Sequence, residues 1–262
     1  MARFCTLCSS SSGNSTYIGT SSEGILIDAG TNCKQLCMAL DRAGLSPESV
    51  KAIFVTHEHT DHTGAIRVFA TKYQIPVFAS GGTLSGLMSC GVLNGKFKYE
   101  IITKKGIAVG DIFVSRFPTS HDAKESCGYR VELPDRTVGI ATDTGVLTDD
   151  IFNGIKGCDL VLLESNYDPD MLKFGPYPDP LKMRIRSEKG HLSNDDCAEA
   201  AVKLIESGVT RLVLGHLSRE NNTPELAYKC THSFLKRAGA VDGVDCELSV
   251  AEPTNTKHFT VF

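Results

Sequence analysis

Six consecutive residues limit what this chain can become more than any other feature: His57-Glu58-His59-Thr60-Asp61-His62 follows directly on the apolar run Ile53-Phe54-Val55-Thr56. Imidazoles and carboxylates at the end of a buried strand are costly to take out of water unless something pairs them. A divalent cation turns the same groups into satisfied ligands. A helical zinc pair of the His-Glu-x-x-His kind does not fit, because Asp61 stands where the second His would be. In an extended turn His57 and His59 fall on one side. Asp61 and His62 then serve a second, adjacent ion once the chain bends towards Gly64.

The same device recurs along the chain. Ile25-Leu-Ile-Asp28-Ala-Gly30 is echoed by Ile140-Ala-Thr-Asp143-Thr-Gly145, and apolar runs also end in Glu164 and His216. In α/β sheets, sites gather beyond the carboxyl ends of strands, so Asp28, His57, Asp143, Glu164 and His216 are expected to converge. Strands are expected at 15–19, 24–28, 51–56, 76–79, 112–117, 126–133, 136–142, 159–164, 211–215 and 246–250, from apolar runs bounded by turn residues. Helical spacing covers 33–43, 64–73, 82–90, 194–207 and 224–238, the last with Thr223 as N-cap and Pro224 in its first turn. No linker or low-complexity run divides the chain, so residues 1–262 are expected to form a single domain.

Composition narrows the partners. With 31 acidic and 27 basic side chains and a net charge of -4, the protein has no bulk attraction for polyanions or anionic membranes, so any such binding needs a local patch. The first residues lack the apolar core of an export signal, and no apolar stretch reaches the ~20 residues that span a bilayer. A cytoplasmic, membrane-free protein is expected, with its ten cysteines reduced. Cys5, Cys8, Cys33 and Cys37 could form a thiolate zinc site, but burial as small apolar side chains is the simpler reading.

The hexapeptide resembles the HxHxDH hallmark of the metallo-β-lactamase superfamily, and the resemblance continues along nearly the whole chain. It implies an α/β fold: a four-layer αββα sandwich of two mixed β-sheets flanked by helices, with metals at one edge. It also implies two divalent ions, zinc, manganese or iron. His57, His59 and His121 would hold one and Asp61, His62 and His216 the other, with Asp143 bridging. By itself His121 would read as a surface histidine, and His191 competes with His216 for the last position. Asp28 is expected to orient a ligand rather than to bind metal. His232 and His258 receive no role.

Ser11-Ser12-Gly13-Asn14-Ser15, Glu164-Ser-Asn-Tyr-Asp, Gly190-His191-Leu-Ser-Asn and Gly215-His216-Leu-Ser-Arg-Glu-Asn-Asn resemble the YycJ/WalJ branch of that superfamily. The branch implies a DNA exonuclease, working 5′ to 3′ and with a place in mismatch repair, in which a metal-bridged hydroxide attacks the phosphodiester. Asp61 would hold that hydroxide in line, and His191, raised in pKa by Glu164, would protonate the leaving alkoxide. Phosphate contacts are expected from Ser12 and Asn14, and from Lys182, Arg184 and Arg186 in a proline-shaped basic loop at 171–190. A turn and a solvated surface would explain those two segments as well. The alternative is a hydrolase of small molecules, a cyclic phosphodiester, thioester or lactone. A redox di-iron centre is disfavoured, since relatives of that type carry a carboxylate where His59 stands, and a non-catalytic module would have lost ligands.

Overall fold

The computed structural model describes residues 1–20 and 22–254, and the backbone of 260–261. His258 lies outside the described residues. The chain first lays down β1 (Arg3–Ser10), β2 (Gly13–Gly19), β3 (Gly24–Ile27), β4 (Val50–Val55), β5 (Val77–Ala79) and β6 (Tyr99–Ile101). It then lays down β7 (Ile107–Val109), β8 (Ile112–Pro118), β9 (Cys127–Glu132), β10 (Thr137–Ala141), β11 (Leu160–Glu164), β12 (Arg211–Gly215) and β13 (Glu247–Val250). A short β14 (Thr260–Val261) returns to pair with β1. The helices are α1 (Cys33–Arg42), α2 (Thr60–Thr63), α3 (Ile66–Tyr73), α4 (Gly81–Ser89), α5 (Asp149–Ile155), α6 (Pro169–Phe174), α7 (Asp179–Ile185), α8 (Asn194–Glu206) and α9 (Pro224–Arg237).

Two mixed sheets result, ordered β14-β1-β2-β3-β4-β5-β6 and β13-β12-β11-β10-β9-β8-β7. They are built alike. β3 pairs antiparallel with β2 and parallel with β4, and β10 pairs antiparallel with β9 and parallel with β11. The strands before Asp28 and Asp143 therefore hold equivalent places, which explains the sequence echo between them.

Period-2 alternation assigns the layers. On β3 and β4, Leu26, Ile53 and Val55 pack under Leu36 and Leu40 of α1 and Phe69 of α3. Ile25, Ile27 and Phe54 face the other sheet, meeting Val138, Ile140 and Leu162. On β11, Val161 and Leu163 turn outward to Leu204 of α8 and Ile155 of α5. Each such fully buried Leu, Ile or Val stabilises the sandwich by about 1.5–3 kcal/mol. Where both faces are covered, strands read as unbroken apolar runs, as β11 does. Beneath the strand ends the sheets are tied together: Phe54 meets Tyr129 edge-on at 5.7 Å, Tyr129 Oη donates to Val55 O at 2.6 Å, and Cys127 N donates to Thr56 O.

All the expected strands and helices have counterparts, with ends shifted by a few residues. The fold adds β1, whose residues are almost all buried and so lack alternation, and the three-residue strands β6 and β7. The expected basic loop at 171–190 is partly helical. α6 and α7 flank a link at 175–178 that holds Pro176 and Pro178, while Pro169 and Pro180 sit in the helices' first turns, where the missing N–H is harmless. All ten cysteines are free. No helix among the described residues is long and apolar enough to cross a membrane.

Candidate metal centre

Three strand ends deliver their polar residue through the same strained step. Asp28, Asp143 and His216 all have left-handed backbone, with φ of 61°, 55° and 56°. For a residue with a Cβ that conformation costs on the order of 1 kcal/mol each, and it persists only where surrounding structure imposes it. Here it turns the chain sharply off the strand and sends the side chain into the space between the sheets' upper edges. The glycine two residues past each aspartate explains the rest of the Asp-x-Gly pattern. A Cβ on Gly30 would lie 1.6 Å from Asp61 O, and one on Gly145 would lie 2.2 Å from Ser187 O. Gly30 thus lets the motif turn lie directly on β3's exit, where Ala29 N donates to His62 O at 2.9 Å. The motif is not extended throughout, since residues from Thr60 to Thr63 make the single turn of α2.

The side chains so placed converge. His57, His59 and His121 offer ligand atoms within 4.8 Å of one another, and so do Asp61, His62 and His216. Asp143 lies among both sets: its Oδ2 is 3.3 Å from His62 Nε2, and its Oδ1 is 3.5 Å from His216 Nε2 and 3.8 Å from His121 Nε2. No cysteine joins any such group among the described residues. Glu58, the motif's other carboxylate, turns away and accepts Lys124 N.

Four of the imidazoles are held from behind. His62 Nδ1 donates to Asp28 Oδ2 at 2.7 Å. Thr56 Oγ1 donates to the same carboxylate at 2.8 Å and receives His57 Nδ1 at 3.0 Å. His121 Nδ1 donates to Gly190 O, and His216 Nδ1 donates to Glu164 Oε1 at 2.7 Å. These partners place the proton on Nδ1 and turn the basic Nε2 of His57, His62, His121 and His216 inward, the arrangement that imidazoles use towards a metal.

Burial pushes the His57 imidazole well below its usual pKa, helped by the neighbouring imidazoles. Burial opposes charge on His216 and His62 as well, but the carboxylates outweigh it. Asp143, Asp61 and Glu164 raise His216 to about 10, while Asp143 and Asp28 hold His62 well above the ordinary range. The neighbouring His216 and His62 imidazoles keep the Asp61 carboxyl far below the usual carboxylate range despite burial. The centre therefore draws positive charge. Its carboxylates Asp28, Asp143 and Glu164 are 3%, 2% and 0% exposed, yet among the described residues no buried Lys or Arg accompanies them. Asp143 Oδ2 and His216 Nε2 are buried without a hydrogen bond. Inward-facing nitrogens, buried carboxylates and two unpartnered ligand atoms fit divalent cations bound by N and O donors.

His191 sits at the rim, its side chain 20% exposed, with Nδ1 2.7 Å from Glu164 Oε1. Glu164 is wholly buried, so it touches no substrate. One oxygen serves His191 and His216 together, and the other accepts Thr144 N and Leu192 N. Burial works against charge on His191, but Glu164 outweighs it and raises the imidazole's pKa.

The residues expected to meet substrate are placed unevenly. Ser12 is exposed at the β1–β2 turn. Asn14 is only 8% exposed, so it turns inward rather than outward. Its amide donates to Ser10 O and lies 3.1 Å from His62 Nε2 and 3.4 Å from Asp61 Oδ2. Lys182 Nζ donates to Lys173 O at the end of α6, and Arg184 pairs with Asp122. Arg186 is exposed on the turn after α7.

Sequence reasoning overlooked Thr56, Asn166 and Ser9. Asn166 Nδ2 donates to His216 O, and Ser9 Oγ accepts His216 N at 2.8 Å, fixing the strained residue. Position just before the hexapeptide could have flagged Thr56. Asn166 belongs to a knot that joins the three Gly/Glu-centred motifs: Ser165 N donates to Gly215 O, Asn166 N to Leu192 O, Asn194 N to Tyr167 O and Ser218 N to Asn166 O.

A family profile described as "Beta-lactamase superfamily domain" matches residues 24–217. The chain is similar to "Exodeoxyribonuclease WalJ" of Streptococcus pneumoniae, 35% identical over 98% of this chain and 97% of that protein. It is likewise similar to "Exodeoxyribonuclease YycJ" of Bacillus anthracis, 36% identical over 95% of each. Among solved structures, the metallo-beta-lactamase fold protein YhfI from Bacillus subtilis superposes with a TM-score of 0.74 at 14% identity, covering 97% of this chain and 98% of that one.

Proposed function

We propose, from the premise that this chain belongs to the beta-lactamase superfamily and is a metal-dependent hydrolase, that it is a binuclear phosphodiesterase acting on DNA as an exonuclease. The observation that carries the two-ion reading is Asp143, whose carboxylate stands between the His57/His59/His121 and Asp61/His62/His216 sets. Support for DNA comes from the full-length relatives named exodeoxyribonucleases. Polarity 5′ to 3′, a role in mismatch repair and folding of residues 1–262 as one unit belong to the same proposal.

His57, His59 and His121 would hold one ion, Asp61, His62 and His216 the other, and Asp143 both. Bound there, divalent ions would supply Lewis-acid charge for the phosphodiester oxygens and bring a water's pKa towards neutrality. The protein's own contribution is positional. Asp28 orients His62 directly and His57 through Thr56, so one carboxylate sets a ligand of each ion. Glu164 does the same for His216 and His191. With Nδ1 engaged by Glu164, His191 keeps Nε2 for the substrate side, where it gives its proton to the departing alkoxide oxygen.

The test is end-labelled single- and double-stranded DNA incubated with each metal, for the wild type and for His191→Ala. The variant should lose about 10²- to 10⁴-fold on DNA, whose alkoxide leaves poorly. On an activated aryl phosphodiester it should lose far less. Equal losses on both substrates would remove His191 as proton donor, and a wild type inert towards DNA with every metal would remove the nuclease reading.

A further inference from the structure

A cavity of about 710 Å³ opens between the β1–β2 turn, the length of α1, the loop after β12 and residues 253–254. Its volume lies within the range of small-ligand sites. Lys34, Arg42 and Arg219 line it, together with the Ser10 and Ser12 side chains, and its described lining includes no carboxylate. On a chain with net charge -4 that is a marked local excess. All three cations are exposed, and none makes a hydrogen bond or ion pair with another described residue. Lys182 and Arg184, by contrast, already have partners within the protein.

The cavity's lining includes none of the candidate ligands, but Ser10 in its wall connects to them through Asn14. Ser10 N donates to Asn14 Oδ1, and the amide nitrogen of Asn14 lies against His62 and Asp61. Arg219 follows His216 on the loop that leaves β12. The N-terminus of α1, capped by Asn32, adds its positive end to the same opening.

We propose that this cavity is the strand-binding channel of the enzyme, in which Lys34, Arg42 and Arg219 hold backbone phosphates of a single DNA strand next to the metal centre. The inference rests on the nuclease reading above. Lys34, Arg42 and Arg219 position the strand without reading its bases, because cations on phosphates carry no sequence information. Met38, 44% exposed, provides apolar surface in the same cavity, which takes bases of any identity.

The experiment is steady-state cleavage of labelled single-stranded DNA across a salt series, comparing wild type with the triple variant Lys34→Ala, Arg42→Ala, Arg219→Ala. KM should rise roughly tenfold or more near physiological salt, with kcat little changed. The slope of log KM against log salt should fall by about 2, since each lost single-strand contact removes about 0.7. The exposed positions leave the fold unaffected, which the thermal midpoint checks. Unchanged KM and slope would overturn the channel. So would an equal rise in KM for bis(p-nitrophenyl) phosphate, which is too short to reach beyond the metal centre. Wild-type enzyme that hydrolyses that small diester but no DNA would overturn the nuclease reading itself, an outcome seen before any variant is compared.

Discussion

Asp143→Asn is expected to lower turnover by about 10³-fold or more, on DNA and on a small phosphodiester alike. Asparagine has the same shape and tolerates the left-handed backbone that residue 143 adopts at φ 55°, so the strand exit survives. What disappears is the negative charge beside His62, His121 and His216. If that carboxylate bridges two cations, its loss weakens both sites together, and several kcal/mol of transition-state stabilisation go with them at roughly 1.4 kcal/mol per tenfold in rate. The readouts are kcat on both substrates, bound metal, and the thermal midpoint of the chelated protein. A folded variant that keeps the parent rate would exclude Asp143 from the chemistry.

Glu164→Gln is the more discriminating substitution, because the native carboxylate accepts four hydrogen bonds: His191 Nδ1 and His216 Nδ1 on one oxygen, Thr144 N and Leu192 N on the other. An amide must point its NH₂ at one of those pairs and leave donor facing donor in a buried place, at about 1–3 kcal/mol. It also removes one of the charges that raise His216, after Asp143 and Asp61, and the main one that raises His191. The expected result is a 10- to 100-fold weaker metal affinity, the usual consequence of losing a carboxylate behind a ligating histidine, together with a loss of kcat. A merely structural role would lower the thermal midpoint without moving metal affinity. Chelator competition separates the two, and wild-type affinity in the variant would refute the orienting role.

Strand-end chemistry was legible because β3, β4, β10, β11 and β12 are apolar runs that stop at one polar residue. Burial on both faces confines other polar residues, such as Lys51, Thr137 and Arg211, to the strands' first two positions. The Asp-x-Gly repeat was visible too, but its cause, left-handed aspartates with a glycine beneath Asp61 O or Ser187 O, needs the neighbouring chain in place. Glu164's shared role could not be read in advance. It depends on the register that sets Glu164 beside Gly215 across β11 and β12, and so brings His216 to the same oxygen as His191. The basic side chains were legible only in part, for a related reason. Charge is visible in sequence, whereas the partners that engage Lys182 and Arg184 are not, and Lys34, Arg42 and Arg219 lie too far apart in the chain to suggest one surface.

Anomalous diffraction from crystals of the metal-loaded protein tests the central claim most directly. Two peaks are predicted on either side of the Asp143 carboxylate, one within bonding distance of His57, His59 and His121 and the other of Asp61, His62 and His216. A single peak, or peaks at the cysteines with this cluster empty, would contradict it.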